Sequence, residues 1–217
     1  MVERHEPFEK LTKFEELDKI NRKYHAVFNG DLSKGYNGAS GPRTADWDFI
    51  QEPPVSHSKV PIYAKDEQLY KLQLKIDHLH HQGIVRKPQE LGINIKLVNP
   101  IMMVKKGSAK EKPWDQINPL TDTRAVLAAN ILNEWSEDVP GNIVTPDQHL
   151  SKVTKFKYHI TTDMADSFDQ ILVHKKKLPY MGLNSPFKGQ YIFTRSGQGR
   201  KGSSEKLNEL TSMCFGH

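Results

Sequence analysis

Residues 66–83 have the clearest periodicity in the chain, with apolar residues at steps of three and four that would line one face of a helix. The stripe consists of Leu69, Leu72, Ile76 and Leu79. Asp66 and Glu67 precede it and Gly83 follows it, as is typical of the two ends of a helix. An amphipathic helix must cover its apolar face, so the stretch predicts packing against other elements.

Beyond this helix the apolar residues form short runs, which favour strands and short helices. The predicted strands cover residues 93–104, 158–162 and 191–194, and the predicted helical pieces lie around Leu150, over 167–172 and along Leu207, Leu210 and Met213. Residues 107–119 are polar and predict a mobile loop. The fold class expected from this order is α+β, with helices packed on small, mainly antiparallel sheets.

The N-terminal part differs in composition from the rest. Residues 8–28 carry a second helical stripe, and residues 29–61 are rich in glycine and proline, which favours turns and extended chain. We therefore expect an N-terminal helix and loop-rich segment over residues 1–60, one subdomain over 61–150 and another over 151–217.

Charge and cysteine content restrict the class of protein. Lys and Arg number 31 against 26 Asp and Glu, a net charge of +5 that suits a polyanionic partner without requiring one. The single cysteine excludes an internal disulfide framework and a cysteine zinc site. No run approaches the ~18 apolar residues of a membrane span. These features predict a soluble, intracellular protein with no membrane partner.

An acidic cluster follows the predicted strand 158–162. Asp163 stands at the end of the strand, and Asp166 and Asp169 follow three and six residues later. Carboxylates in this arrangement can hold a divalent cation of the kind used in nucleotidyl transfer. The alternative is that the acids only cap the next helix.

A glycine-rich turn, residues 197–204, follows another predicted strand and opens a helix. Its glycines let backbone amides approach an anion, and Arg200 and Lys201 add positive charge. The turn also fits G-x-G-x-x-G, but a dinucleotide site needs a complete strand-helix-strand unit and an acidic residue ~20 positions later. A plain structural turn remains the other alternative.

A basic group precedes both motifs. It consists of Lys105, Lys106, Lys110, Lys112 and Arg124. A lysine-rich hairpin followed by an arginine can close over a triphosphate or track a phosphate backbone. A solvated loop is the alternative.

In this order, the segments resemble the reverse transcriptase of long-terminal-repeat retrotransposons and retroviruses, over roughly residues 61–217. Residues 79–85 are similar to the family's L-x-x-x-G-I-I, and residues 100–106 to its fingers strand with paired lysines. Residues 124–133 follow R-x-V-x-D-x-R-x-L-N, with Ala128 and Asn130 in place of the aspartate and the second arginine. Residues 163–171 are similar to D-x-x-x-x-F-x-Q-I, and residues 198–204 to Q-G-W-K-G-S-P.

The resemblance implies the fingers and a partial palm of a right-hand polymerase, with an incomplete palm sheet, and RNA-directed DNA synthesis as the family activity. It implies that Asp163 is catalytic and binds Mg²⁺ or Mn²⁺ together with the Met164 carbonyl. The nucleotide-binding residues that it implies are Lys105, Lys106, Arg124, Asp166, Ser167, Phe168, Gln198 and Gly199. The implied partners are an RNA or DNA template-primer, a dNTP and the missing palm and thumb segments or the rest of a polyprotein.

The family's Y-x-D-D motif is not in this sequence, which contains no adjacent Asp-Asp pair. Without those carboxylates the two-metal site is incomplete, so the isolated chain is expected to be an inactive polymerase fragment. An unpaired edge of the palm sheet predicts poor solubility. The alternative function is a non-catalytic module that binds nucleic acid or protein.

Overall fold

The computed structural model describes residues 37–38, 41–42, 44–56, 65–139, 146–155, 157 and 166–215. The predicted helix over 8–28 and the predicted strand over 158–162 lie outside the described residues, and so do Asp163 and Met164.

The described residues form short α-helices, strands and 3₁₀ helices. The α-helices are α1 (Asp66–His81), α2 (Pro88–Leu91), α3 (Asn130–Trp135), α4 (Pro146–Val153) and α5 (Ser203–Phe215). The strands are β1 (Asn37–Gly38), β2 (Gly41–Pro42), β3 (Thr44–Ala45), β4 (Val85–Arg86), β5 (Val98–Asn99), β6 (Ile101–Lys105), β7 (Thr123–Leu127), β8 (Leu172–Val173), β9 (Gly182–Ser185) and β10 (Gly189–Phe193). Short 3₁₀ helices cover Gly107–Glu111, Trp114–Gln116, Ser167–Gln170 and Lys175–Tyr180.

The strands form several small sheets. The largest has the order β4-β10-β9-β5, in which β10 is antiparallel to β4 and β9 while β5 is parallel to β9. Strands β6 and β7 form an antiparallel hairpin. Strands β1 and β2 are also antiparallel, whereas β3 and β8 are parallel. The molecule is therefore a mixed α and β protein with helices on small sheets, compatible with the expected α+β class.

Helix α1 confirms the prediction from periodicity. It begins at Asp66 and ends at His81, with acidic residues in the first turn and histidines in the last. Leu72 and Ile76 are fully buried and Leu79 nearly so. These side chains join the main core, which packs α1 against the four-stranded sheet and the hairpin.

The segment 93–104 has less strand than its apolar pattern predicts. Pro100 separates β5 from β6, and a proline nitrogen has no hydrogen to donate to a ladder. The predicted loop over 107–119 instead contains two 3₁₀ turns. Helices α4 and α5 lie where the sequence predicts helical segments. Among the described helices, none combines the length and hydrophobicity that crossing a membrane requires.

Gly182 begins β9 at a point where two strands approach closely. A Cβ atom there would lie 2.7 Å from the Leu97 carbonyl oxygen and 2.4 Å from Ile95 Cγ2. The backbone oxygen has little freedom to move, because Gly182 also donates its N–H to it over 3.1 Å. Only glycine fits here without displacing β9 or the residues that lead into β5.

We predict that Gly182→Ala lowers the free energy of unfolding by about 1 to 3 kcal/mol, because the added methyl group forces β5 and β9 apart. Gly92→Ala is the control: a Cβ there meets nothing within 4 Å, and only its φ of +63° opposes a side chain. Urea unfolding of both variants measures the difference. Equal stability of Gly182→Ala and the wild type would contradict the close approach.

Candidate functional site

A cavity of about 140 Å³ lies where α1, the β6–β7 hairpin, the 3₁₀ turn Ser167–Gln170 and the turn after β10 meet. Its polar lining residues are Lys75, His78, Gln82, Lys106, Thr123, Arg124, Asp166, Ser167, Asp169 and Gln198. Its apolar lining includes Leu79, Ile84, Leu127, Phe168 and Phe193. Segments far apart in the chain therefore contribute polar groups to one space.

Helix α1 supplies one wall of the cavity. Lys75, His78 and Gln82 are separated by three and four residues and so share a helix face. Lys75 Nζ donates a hydrogen bond to the Leu120 carbonyl over 2.8 Å. Burial, and then the charges of Lys75 and His81, lower the pKa of His78. This imidazole is consequently held toward its neutral form.

The β6–β7 hairpin supplies the basic side of the cavity. Its register places Val104 opposite Arg124, and Lys106 directly follows β6. The Lys106 N–H donates to the Asp122 carbonyl over 2.7 Å, which closes the hairpin beyond the last strand pair. Lys106 and Arg124 thus reach the cavity from opposite strands.

The 3₁₀ turn Ser167–Gln170 supplies the acidic side. Asp166 precedes it with φ of 47°, the one positive φ among the non-glycine residues that the structure describes. Its carbonyl accepts the Asp169 N–H over 2.8 Å, which folds the turn back on itself. A left-handed aspartate is uncommon, and such strain is concentrated at functional sites.

The Asp169 carboxyl lies in an unfavourable environment for its charge. Burial, and secondly the charge of Asp166, raise the pKa of Asp169 to about 6, although Arg195, Lys75 and Lys106 act in the opposite direction. Burial and the charge of Lys106 lower the pKa of Lys75, while Asp166 and Asp169 oppose that change. The acidic and basic walls therefore influence each other across the cavity.

The glycine-rich turn after β10 is held by Asn133, the last residue of the segment 124–133. Asn133 Nδ2 donates to the Gly199 carbonyl over 2.7 Å, and Asn133 Oδ1 accepts the Lys201 N–H over 2.8 Å. Gly197 and Gly199 both have positive φ, at 68° and 85°. The resulting turn brings Gln198 to the cavity.

The charged residues of this turn have structural contacts away from the cavity. The Arg200 guanidinium is buried and lies 4.0 Å from the centre of the Trp47 ring. Lys201 Nζ lies 2.8 Å from the Asp138 carboxylate and 3.0 Å from the Ser136 carbonyl. Within the described part of the chain, the turn contributes Gly197 and Gln198 to the cavity rather than these two cations.

The structure brings most of the predicted nucleotide-binding residues together. The predicted residues that line the cavity are Lys106, Arg124, Asp166, Ser167, Phe168 and Gln198. Lys105 lies outside it, with Nζ donating to the Lys112 carbonyl and 4.9 Å from the centre of the Trp114 ring. Gly199 is also outside, and the predicted metal ligands Asp163 and Met164 are not among the described residues.

Sequence reasoning did not assign Lys75 or His78 to the site. The available signal was the position of Lys75 on the apolar stripe of α1, between Leu72 and Leu79. A lysine on a buried helix face requires a polar destination for its ammonium group. Asp169 belongs to the acidic cluster that follows Asp163, but the sequence alone gives it no separate role.

The charged residues that line the cavity could bind an anionic ligand together with a metal cation bound to that ligand. Lys75, Lys106 and Arg124 offer donors and positive charge, and Asp166 and Asp169 offer oxygen ligands. Across the ranges that the structure describes, no group of three or more His, Cys, Asp or Glu side chains is placed to hold a metal ion.

No protein-family model matches the chain, and no curated protein matches it significantly.

We predict that Asp169→Asn stabilises the protein near pH 7.5 by about 1 to 3 kcal/mol, with the gain disappearing near pH 4. Above about pH 6 the wild-type carboxylate is charged in the folded and unfolded states, and burial penalises it only in the folded state. Below the ordinary value of 3.8 it is protonated in both states, so the penalty is absent.

Thermal unfolding at both pH values measures this effect. Asp147→Asn, at an exposed carboxylate on α4, is the control and should not give this stabilisation near pH 7.5, because its side chain is not buried. A stability difference for Asp169→Asn that does not change with pH would contradict the assigned environment.

Proposed function

We propose that this chain is the fingers and part of the palm of a retroelement reverse transcriptase, and that its cavity binds the triphosphate of an incoming dNTP. The observation that supports the proposal is the convergence of separate motifs on one cavity. Lys106, Arg124 and Phe168 come from three motifs and Gln198 from a fourth, yet all line the same space. The order of these motifs along the sequence is that of the reverse transcriptases they resemble.

The chemistry of the cavity fits this ligand. A guanidinium binds phosphate oxygens through two parallel hydrogen bonds, whereas an ammonium acts as a point charge. Arg124 and Lys106 supply one of each from neighbouring strands. Phe168 lines the same cavity and would pack against the sugar, where a ring leaves no partner for an extra hydroxyl.

The same proposal assigns Asp163 and the Met164 carbonyl as the metal ligands, with Asp166 nearby in sequence. Carboxylate and carbonyl oxygens are the ligands that Mg²⁺ and Mn²⁺ prefer, so the donor set fits. A bound divalent cation would neutralise charge on the phosphates and lower the pKa of the attacking hydroxyl. Asp166 and Asp169 would keep the cavity from becoming purely cationic, while Lys106 and Arg124 orient the phosphates.

Binding rather than turnover is proposed for the chain by itself. A second carboxylate source is needed for two-metal catalysis, and the sequence has no adjacent Asp-Asp pair. Nucleotide addition on an RNA or DNA template-primer would then require carboxylates supplied from outside these residues.

A second candidate is a non-catalytic nucleic-acid-binding module. The observation that favours it is the basic surface of the hairpin outside the cavity, where Lys110 and Lys112 are exposed beside the half-buried Trp114. Basic side chains with an adjacent aromatic ring are typical of single-strand binding. Such binding should weaken steeply with salt and should not depend on Asp163.

We predict that Arg124→Gln and Lys106→Gln each weaken binding of dTTP with Mg²⁺ by about 10-fold or more, because each removes a charged hydrogen bond to phosphate. Isothermal titration calorimetry on the full 217-residue chain measures the affinity. Lys110→Gln is the matched control: it changes an exposed lysine of the same hairpin that does not line the cavity.

Equal losses in all the variants would show only a general charge effect. Undetectable binding of dTTP by the wild type, together with tight, salt-sensitive binding of single-stranded RNA in fluorescence anisotropy, would refute the nucleotide site and support the second candidate.

A further inference from the structure

Lys75 is a buried lysine in the middle of α1. Its residue is 7% exposed, and its neighbours Leu72 and Ile76 are fully buried in the core. An ammonium group removed from water is costly unless nearby groups compensate its charge. A more favourable choice for a purely structural position on this stripe would be leucine or methionine.

The described surroundings compensate Lys75 only in part. Its Nζ donates to the Leu120 carbonyl over 2.8 Å, a neutral acceptor. No ion pair among the described residues involves Lys75. Asp166 and Asp169 act on it from across the cavity, and Lys106 repels it. A negatively charged group inside the cavity would complete the compensation.

Lys71 provides an internal comparison one turn earlier on the same helix. Its Nζ also donates to a backbone carbonyl of the hairpin connection, that of Trp114. Both lysines therefore tie α1 to this connection, but only Lys75 lines the cavity. Tethering alone does not explain why the second lysine lies at the cavity wall.

We propose that Lys75 is a third phosphate-binding cation, which contacts the polyphosphate part of the ligand from the α1 side of the cavity. The proposal rests on the proposed function and adds to it a residue outside all of the matching motifs. Lys75 comes from α1 and Lys106 and Arg124 from the two strands of the hairpin, whereas the carboxylates of Asp166 and Asp169 belong to a single turn. A ligand with several adjacent negative charges fits this arrangement better than a single phosphate does.

The test uses inorganic tripolyphosphate and orthophosphate as probes on the full chain, with affinity measured by calorimetry at low salt. Lys75→Met should weaken tripolyphosphate binding by about 10-fold or more, whereas Lys75→Arg keeps the charge and should stay within about 3-fold of the wild type. Lys71→Met should bind like the wild type, because Lys71 does not line the cavity. Orthophosphate should bind the wild type much more weakly than tripolyphosphate.

A second measurement does not depend on folding of the variants. In the wild-type chain, the Lys75 ammonium signal in a ¹⁵N spectrum should shift when tripolyphosphate is added, and the Lys71 signal should not. Equal tripolyphosphate affinity of Lys75→Met and the wild type, or an unchanged Lys75 signal at saturation, would overturn the proposal and leave Lys75 as a tether.

The outcomes also separate this inference from the proposed function. Binding of dTTP that depends on Arg124 but not on Lys75 would overturn the inference alone. Lys75-dependent binding of tripolyphosphate without any preference for dTTP would support the inference and refute the dNTP site. A wild type that binds neither probe would overturn both.

Discussion

Burial of the apolar face of α1 is the constraint on which the rest of the described structure depends. Leu72 and Ile76 are removed from water by the four-stranded sheet and the hairpin. At about 25 cal/mol per Å² of apolar surface, each fully buried side chain contributes on the order of 2 kcal/mol. The same packing fixes the helix orientation, so it also determines which polar side chains reach the cavity.

Part of the cavity wall is held by residues that do not line the cavity. Asn133 binds both sides of the glycine-rich turn, and Lys71 ties α1 to the connection within the hairpin. The buried Arg200 guanidinium lies over the Trp47 ring. Asn133 thereby helps to position Gln198 without lining the cavity itself.

The sequence predicts elements whose periodicity and packing agree, and it misses features that depend on distant partners. Helix α1 was predictable because its apolar stripe, the acidic residues of its first turn and the glycine after it all indicate the same helix. The strands of segment 93–104 are shorter than predicted because Pro100 interrupts the ladder. The convergence of Arg124 and Gln198 was expected only through resemblance, since no local pattern places them together.

Lys75 and Arg200 show why part of the site escapes such reasoning. The charge of Lys75 suggests solvent, yet the stripe of α1 carries it inward. The sequence predicts that Arg200 adds positive charge to an anion site at the glycine-rich turn. Its guanidinium instead packs on the Trp47 ring, away from the cavity. In both cases the end of the long side chain meets a partner far away in sequence, the Leu120 carbonyl for Lys75 and the Trp47 ring for Arg200.

The pairing of the four-stranded sheet has a consequence for the order in which the molecule forms. Strand β10 bonds to β9 through a tight hairpin, but it bonds to β4 across a separation on the order of a hundred residues, as in the pair of Ile192 with Arg86. During synthesis, β4 and β5 emerge well before the strands that join them. Until residues 182–193 arrive, these two strands have no partner from this sheet. We therefore expect pairing across the long connection to be the slow step of folding.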